Sequence, residues 1–149
     1  NASLDTSINT QDTFPTGIAW NNDGSRLYEV GQGSDNIYQY DVSTAFDITT
    51  ALFDTSINTQ AGNPTGIAWN DDGSRLYEAN FAAGGDIYQS TVSTAFDITT
   101  ASLETSIISQ DDDITGIAWN DDGSRLYEVG QNSDKIYQFD LPIGGWEAF

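Results

Sequence analysis

Apolar and polar residues alternate along short segments of the chain, and turn-forming residues separate these segments. In the first 60 residues the alternation predicts β-strands at 17–21, 26–30, 37–41 and 51–57. Residues 22–25, with Gly24 free to adopt a positive φ, supply the turn between the first two strands, and 43–50 form a longer connection. No segment keeps a helical period of 3.6 over ten residues, so the pattern predicts an all-β fold.

The same pattern occurs three times. The hexapeptide Thr-Gly-Ile-Ala-Trp-Asn begins at Thr16, Thr65 and Thr115, which places its tryptophans 49 and then 50 residues apart. Residues 43–50 recur without change at 93–100. Four antiparallel strands in each unit of about 40–50 residues are typical of a β-propeller blade. We therefore predict a β-propeller fold with three four-stranded blades of 49–50 residues each.

The residues that repeat also carry a family resemblance. The stretch WNNDGSRLY at 20–28 resembles the strand–turn–strand of YVTN- and WD40-like propeller repeats. With the Tyr-Gln-Tyr and Ser-Thr-Ala-Phe-Asp-Ile-Thr-Thr-Ala segments added, the unit is similar to propeller repeats of marine phage and bacterial tail-fibre-like proteins. The resemblance extends from residue 2 to about 141, and it implies an adhesion domain that is extracellular or attached to a virion.

The repeat predicts the division of the chain. Blade 1 covers 12–59, blade 2 covers 60–109, and blade 3 covers 110–141 and lacks its outer strand. Residues 1–11 match the outer strand of the other units and stand alone at the amino end, while 142–149 depart from the repeat. We therefore expect the amino-terminal strand to complete a blade elsewhere.

An unpaired sheet edge invites aggregation, and three blades are fewer than the usual 4–8. We predict a homo-oligomer in which the amino-terminal strand, with Leu4, Thr6 and Ile8, closes the third blade of a neighbouring chain. A homodimer would have six blades and a homotrimer nine, and both remain open.

Charge and composition exclude several partners. Four basic residues stand against 23 acidic ones, which gives a net charge of −19. The chain therefore lacks the basic surface that nucleic acids and anionic membranes require. It contains no Cys or His, which removes thiol chemistry and the commonest general base. We also expect no signal peptide in this segment, and the absence of Met indicates an excised, processed or engineered chain.

Two sets of large residues recur in every unit, and we assign both a structural role. Arg26, Arg75 and Arg125 follow the Asp-Gly-Ser turns, where we expect them to bind turn carboxylates or carbonyls of a neighbouring blade. A sialidase-like arginine cluster is the alternative. Trp20, Trp69 and Trp119 are expected to pack between blades, with stacking on sugars as the alternative.

Sequence variation among the units predicts a binding face. The units differ most at the entry loops (12–15, 61–64 and 111–114) and at the loops between strands two and three (31–36, 80–86 and 130–135). Both loop sets should emerge on one face, where ligands bind on rigid scaffolds; drift in tolerant loops is the alternative. The predicted ligand-binding residues are Asp12, Phe14, Asn63, Phe81, Asp111, Asp112 and Asp113.

We predict no resident cofactor and no catalytic site. The Asp111–Asp113 cluster raises the hypothesis of adventitious Ca²⁺ or Mg²⁺. The expected function is that of a non-enzymatic scaffold or binding module, and the resemblance to tail-fibre-like repeats implies an adhesion domain with a surface glycan as its ligand. The alternatives are a lactonase- or glycosidase-like enzyme, and an engineered or duplicated repeat protein with no selected ligand.

Overall fold

A computed structural model describes residues 2–81, 85–120 and 124–140. The Asp122–Gly123 turn of the third unit and the divergent tail at 142–149 lie outside the described residues. In the described part the regular elements are eleven strands and two single 3₁₀ turns, and neither turn is long enough to span a bilayer. The all-β prediction is confirmed.

The strands form three antiparallel sheets that correspond to the three sequence units. The first two sheets have the orders β1-β2-β3-β4 and β5-β6-β7-β8, and the third has β9-β10-β11. The strands are β1 (Pro15–Trp20), β2 (Arg26–Gly31), β3 (Asn36–Val42), β4 (Ala51–Asn58), β5 (Pro64–Trp69), β6 (Arg75–Asn80), β7 (Asp86–Val92), β8 (Ala101–Ile108), β9 (Ile114–Trp119), β10 (Arg125–Gly130) and β11 (Ile136–Asp140).

The long connection between the third and fourth strands contains one 3₁₀ turn in blades 1 and 2, at Ile48–Thr50 and Ile98–Thr100. The Asp47 side chain caps the first turn by accepting a hydrogen bond from the Thr49 N–H at 3.0 Å. Before that cap, Phe46 has a φ of 60°, and its ring occupies the place of a side chain on Gly24. A Cβ on Gly24 would lie 2.5 Å from that ring, so the turn between β1 and β2 requires glycine.

The three sheets lie side by side, with β1, β5 and β9 as adjacent inner strands. Glycines permit this approach, because a Cβ on Gly17 would stand only 3.2 Å from the Cα of Gly66. One apolar core lies between blades 1 and 2, and a second lies between blades 2 and 3. A third cluster, around Leu27 and Tyr40, covers the other side of blade 1. The blades thus form an arc whose cores are the interfaces between them.

The amino-terminal residues of the arc belong to no strand. Residues 2–10 have no regular secondary structure and pair with no sheet, Leu4 is 86% exposed and Thr6 is half-buried. Ile8 is 38% exposed. The third sheet ends at β11 within the described residues, whereas β3 and β7 pair with an outer strand.

Candidate ligand-binding face

The two variable loop sets lie on one face because a repeated hydrogen bond joins them. The first residue after β2 donates its N–H to the Phe14 carbonyl at 3.0 Å. The equivalent bonds run from the Phe81 N–H to the Asn63 carbonyl at 2.8 Å, and from the Gln131 N–H to the Asp113 carbonyl at 2.9 Å. Each entry loop is thereby fixed against the following loop of its own blade.

In blade 1 a buried carboxylate holds the two loops together. Asp12 is 4% exposed, and its Oδ1 accepts hydrogen bonds from the N–H groups of Phe14 at 2.7 Å and Gly33 at 2.9 Å. Its Oδ2 accepts from the Ser34 N–H at 3.0 Å and the Ser34 hydroxyl at 2.6 Å. Burial acts to raise the pKa of Asp12, but these hydrogen bonds hold it below the usual value.

Asp111 does the same in blade 3. It is 2% exposed, and its oxygens accept from the N–H groups of Asp113 at 2.9 Å, Asn132 at 3.2 Å and Ser133 at 2.8 Å. The Ser133 side chain, together with these N–H groups, lowers the pKa of Asp111 to about 2.

Asp12 and Asp111 were expected to face a ligand, and the structure corrects their placement. Their carboxylates lie inside the loops, because the N–H groups of two loops converge on them. In the described residues no group of three or more carboxylates is placed to hold a metal ion. Asp112 is exposed and Asp113 is half-buried, with no metal cluster around them in that part of the chain.

In blade 2 a different pair of residues, Ala61 and Asn80, holds the two loops together. Ala61 replaces the aspartate, and the Asn80 side-chain amide donates to the Ala61 carbonyl at 2.6 Å. In blade 1 the residue equivalent to Asn80 is Gly31, where a Cβ would lie 2.3 Å from the Asp12 carboxyl carbon. The loops therefore use either an Asp–Gly pair or an Ala–Asn pair to fill one space.

A cleft of about 400 Å³ opens on this face beside the inner strands. It is lined by the threonines that begin the repeated hexapeptide and by the first residue after the second strand of each blade. The described lining residues are Thr16, Gln32, Thr65, Phe81, Asp113, Thr115 and Gln131.

The cleft offers mainly hydrogen-bond acceptors. The Thr16 hydroxyl donates to the Pro64 carbonyl at 2.7 Å, and the Thr65 hydroxyl donates to the Ala79 carbonyl at 3.3 Å. Because each proton is used, the threonine oxygens are left as acceptors. The Asp113 carboxylate adds two acceptors, and the Gln32 amide can both donate and accept. Phe81, which is 44% exposed, supplies an aromatic surface.

The predicted ligand-binding residues divide into two groups outside the buried aspartates. Phe81 and Asp113 line the cleft, whereas Phe14, Asn63 and Asp112 are exposed on the same face outside its lining. The threonines and glutamines of the cleft were not among the ligand-binding residues predicted from the sequence. The threonines belong to the unchanging hexapeptide, which shows no variation. The Gln–Phe–Gln difference at 32, 81 and 131 was the available signal.

The arginines lie away from this face, at the interfaces and along the sheets. The Arg26 guanidinium donates to the Phe96 carbonyl of the next blade at 2.7 Å. Salt bridges join Arg26 to Asp41 at 3.6 Å, Arg75 to Glu104 at 3.6 Å and Arg125 to Asp140 at 3.1 Å, each within one blade. The partners are therefore strand carboxylates and a neighbouring carbonyl, rather than turn carboxylates.

The tryptophans contact rings within the apolar cores. Trp69 packs against Tyr28 with ring centroids 4.9 Å apart, and Trp119 packs against Tyr77 at 4.2 Å. Trp20 packs against Phe46 at 5.4 Å on the side of blade 1 that has no preceding blade in this chain.

A buried glutamate anchors the chain segment that enters each blade. Glu29, Glu78 and Glu128 are 2%, 3% and 1% exposed. The Asp12 N–H donates to Glu29 at 2.9 Å, and the Gln60 N–H donates to Glu78 at 2.7 Å. Burial raises the pKa of Glu78 to about 7, and it also raises the pKa of Glu128.

Comparison with known proteins identifies the fold. No family model matches the sequence, and no curated protein matches it. Many solved structures do match, among them the periplasmic gluconolactonase of Pseudomonas aeruginosa, with a TM-score of 0.67 and 13% identity over 87% of this chain. Saccharomyces cerevisiae Sqt1 matches with a TM-score of 0.65 and 8% identity over 91% of the chain. A chain of the mitotic checkpoint complex matches with a TM-score of 0.65 and 11% identity over 85%.

These solved structures are β-propellers, and the three sheets of this chain match three of their blades. The chain spans about a third of their length, with coverage of 36%, 34% and 36% of the respective chains. The predicted β-propeller fold is therefore confirmed.

Proposed function

We propose that this chain is a non-enzymatic binding module and that it holds a neutral glycan in the cleft beside the inner strands. The observation that carries the proposal is the lining of the cleft, where hydrogen-bonding side chains surround one exposed aromatic ring. Sugar hydroxyls donate hydrogen bonds to acceptors such as those of Thr16 and Asp113. A ring such as Phe81 stacks on the apolar face of a sugar.

Charge favours a neutral ligand over an anionic one. The chain carries a net charge of −19, and the described lining of the cleft includes Asp113 without a basic residue. An anionic sugar would be repelled by this field, and it would find no guanidinium or ammonium partner among those residues.

Hydrogen bonds hold the loops of this face in place, which supports binding of a ligand to a preformed surface. The hydrogen bonds at Asp12 and Asp111 fix the loops of blades 1 and 3, and the Asn63 N–H donates to the Asp35 carboxylate at 2.7 Å to tie blade 2 to blade 1. A fixed surface loses little conformational entropy when a ligand binds.

A glycan array followed by titration calorimetry tests the proposal. We expect saturable binding of a neutral oligosaccharide, and we expect Phe81→Ala and Gln131→Ala each to weaken it about tenfold. Phe53→Ala is the matched control, because Phe53 is a similarly exposed phenylalanine, at 48%, on the outer strand β4. Absence of binding, or equal loss with Phe53→Ala, would contradict the proposal.

A lactonase-like or glycosidase-like activity is the second candidate, and the match to the Pseudomonas aeruginosa gluconolactonase favours it. Its test is turnover of a panel of lactones and glycosides by the full chain. Turnover that Asp113→Asn abolishes would support the enzyme and refute the binding module. Glycan binding without turnover would support the binding module.

A further inference from the structure

The two blade-to-blade interfaces in this chain are repeats of one contact. Each blade has a trailing face, which carries Tyr28 or its equivalent and contacts the next blade. Its leading face carries Trp69 or its equivalent and contacts the previous blade. The trailing tyrosine packs on the leading tryptophan in both interfaces, as Tyr28 on Trp69 and as Tyr77 on Trp119. A buried leading face is therefore covered by the tyrosine of a trailing face, and a buried trailing face by the tryptophan of a leading face.

At the two ends of the arc, one half of this contact is exposed. On the leading face of blade 1, Ile18 is 67% exposed, whereas the equivalent Ile67 is 5% exposed inside the first interface. On the trailing face of blade 3, Ile136 is 76% exposed, whereas the equivalent Ile37 is 1% exposed. An apolar cleft of about 280 Å³ opens beside Ile136 and is lined by Tyr127, the residue equivalent to Tyr28 and Tyr77.

The polar part of the contact is also divided between the two ends. In the first interface, Arg26 donates to the Phe96 carbonyl at 2.7 Å. The Ile98 N–H donates to the Gln39 side chain at 3.2 Å. Blade 3 ends the arc with the equivalent donor and acceptor, Arg125 and Gln138.

Blade 1 begins the arc with the complementary groups. Phe46 has the same φ of 60° as Phe96, and the N–H of the next residue donates to Thr44 as that of Asp97 donates to Thr94, both at 3.0 Å. The two peptide units, and therefore the two phenylalanine carbonyls, have the same direction relative to their own blades. Ile48 stands at the position of Ile98, at the start of the equivalent 3₁₀ turn. Blade 1 can therefore meet Arg125 and Gln138 as blade 2 meets Arg26 and Gln39.

The unpaired amino-terminal segment provides a third match. Residues 5–11 are identical to residues 54–60, which form most of β4 and the linker into blade 2. In blade 1, Ile57 pairs with Ile37 and Thr55 pairs with Gln39. The equivalent pairs across the open edge of blade 3 are Ile8 with Ile136 and Thr6 with Gln138.

We propose that a second copy of this chain docks head to tail, with the leading face of its blade 1 on the trailing face of blade 3. Its residues 5–9 then pair with β11 as the fourth strand of blade 3. The two contacts belong together, because the linker from residues 5–9 into blade 1 has the sequence of the linker from β4 into blade 2.

Within one chain, blade 2 stands between blade 1, where this segment lies, and the open edge of blade 3. In the free chain, residues 6–10 lie against the leading face of blade 1 beside Ile18 and Leu27. Docking transfers this segment to β11 of the partner and exposes the leading face of blade 1 to it. Such a contact is heterologous, so repeated docking either closes a ring or continues as a filament.

Mass measurement tests the docking. Light scattering at fixed protein concentration and about 0.3 M salt is expected to give a multiple of the 16.2 kDa chain. Ile136→Asp is expected to reduce the mass to that of one chain, because the charge would be buried in the interface. Ile108→Asp is the matched control, since Ile108 is 73% exposed on the outer strand β8 and should leave the assembly intact. A wild-type monomer, or dissociation by both variants, would overturn the proposal.

A cross-link tests the strand itself. The chain contains no cysteine, so Ile8→Cys combined with Ile136→Cys introduces the sole pair. Oxidation is expected to give covalent multimers on non-reducing gels, and the single variants should give no ladder beyond a trace of dimer. A band at the mass of one chain, whether from an internal disulfide or from no disulfide, would refute the exchange of the strand.

Discussion

Because Glu78 is buried, we expect the free energy of unfolding of this protein to decrease as the pH rises from mildly acidic to mildly basic values. Its carboxylate accepts a hydrogen bond from the Gln60 N–H at 2.7 Å, and the residue is 3% exposed. Burial outweighs the opposing effect of hydrogen bonds from Gln60, Asn80 and Ala61 on its pKa. In blade 1 the Tyr40 hydroxyl also donates to the equivalent Glu29. The position of Tyr40 is taken by the shorter Ser90 in blade 2, so Glu78 lacks that tyrosine donor.

The expected size follows from the pKa of Glu78. Burial raises that pKa from 4.5 in the unfolded chain to about 7 in the folded one. Because the folded state holds the proton more tightly, the stabilisation is complete below about pH 4.5 and is lost as pH rises through about 7. The free energy of unfolding therefore falls by about 3 kcal/mol in total, with about 2 kcal/mol of this lost between pH 5 and pH 7.5.

The assay is urea unfolding at pH 5 and pH 7.5 for the wild type and for Glu78→Gln. Salt is held at about 0.3 M to screen the general repulsion, and protein concentration is held constant. The glutamine keeps an acceptor for the Gln60 N–H but does not titrate. We expect the variant to lose about 2 kcal/mol of pH dependence and to be more stable than the wild type at pH 7.5.

Glu104→Gln is the control, because it makes the same change on the outer strand β8, where the carboxylate contacts Arg75. It should keep the pH dependence of the wild type. If Glu78→Gln keeps the full dependence, or if the wild type is more stable at pH 7.5 than at pH 5, the assignment to Glu78 is refuted.

Two further predictions concern the repeated contacts, and a third concerns the net charge. Phe139 occupies the position of Tyr40 in blade 3, where Glu128 Oε2 has no hydrogen-bond partner among the described residues. Phe139→Tyr should supply a hydroxyl donor to Glu128 and raise the free energy of unfolding by about 1 kcal/mol in urea at pH 7.5. Asp12→Ala should lower the free energy of unfolding by about 2 kcal/mol in the same assay, because it removes four hydrogen bonds. Adding Gly31→Asn should restore part of this loss, because it recreates the Ala–Asn pair of blade 2; a double variant no more stable than Asp12→Ala would refute the equivalence of the Asp–Gly and Ala–Asn pairs. The melting temperature should rise as NaCl is increased from about 20 mM to about 300 mM, since the net charge of −19 is screened, and a falling melting temperature would contradict this.

Strand positions and the three-sheet fold were predictable from the sequence because the same local pattern occurs three times. Each strand needs alternating residues and each turn needs glycine or aspartate, and the repeats show both requirements independently of the rest of the chain. The predicted strand at 26–30 differs from Arg26–Gly31 by one residue at its end. The 3₁₀ turns escaped prediction, because a single turn capped by Asp47 is too short to show a helical period.

The candidate site was less predictable, because variation among repeats has two causes. Asp12 and Asp111 vary in concert with Gly31 and Gly130, since each carboxyl fills the space of the missing Cβ. That variation reflects packing and carries no information about ligands. Phe81 varies against Gln32 and Gln131 at a position where the side chain faces the cleft. The residue types alone do not separate the two cases, and the distances do.

The same repetition makes the exposed faces of blades 1 and 3 informative. A single blade cannot show what its faces need, since nothing covers them. Two interfaces inside one chain show it twice, with the same tyrosine on the same tryptophan. The exposed Ile18 and Ile136 are therefore not scattered surface hydrophobics, because each has an equivalent that is almost fully buried. The acidity of the surface then acts in opposition to these faces: repulsion between chains limits unspecific association, while the apolar faces and the unpaired strand favour one orientation of docking.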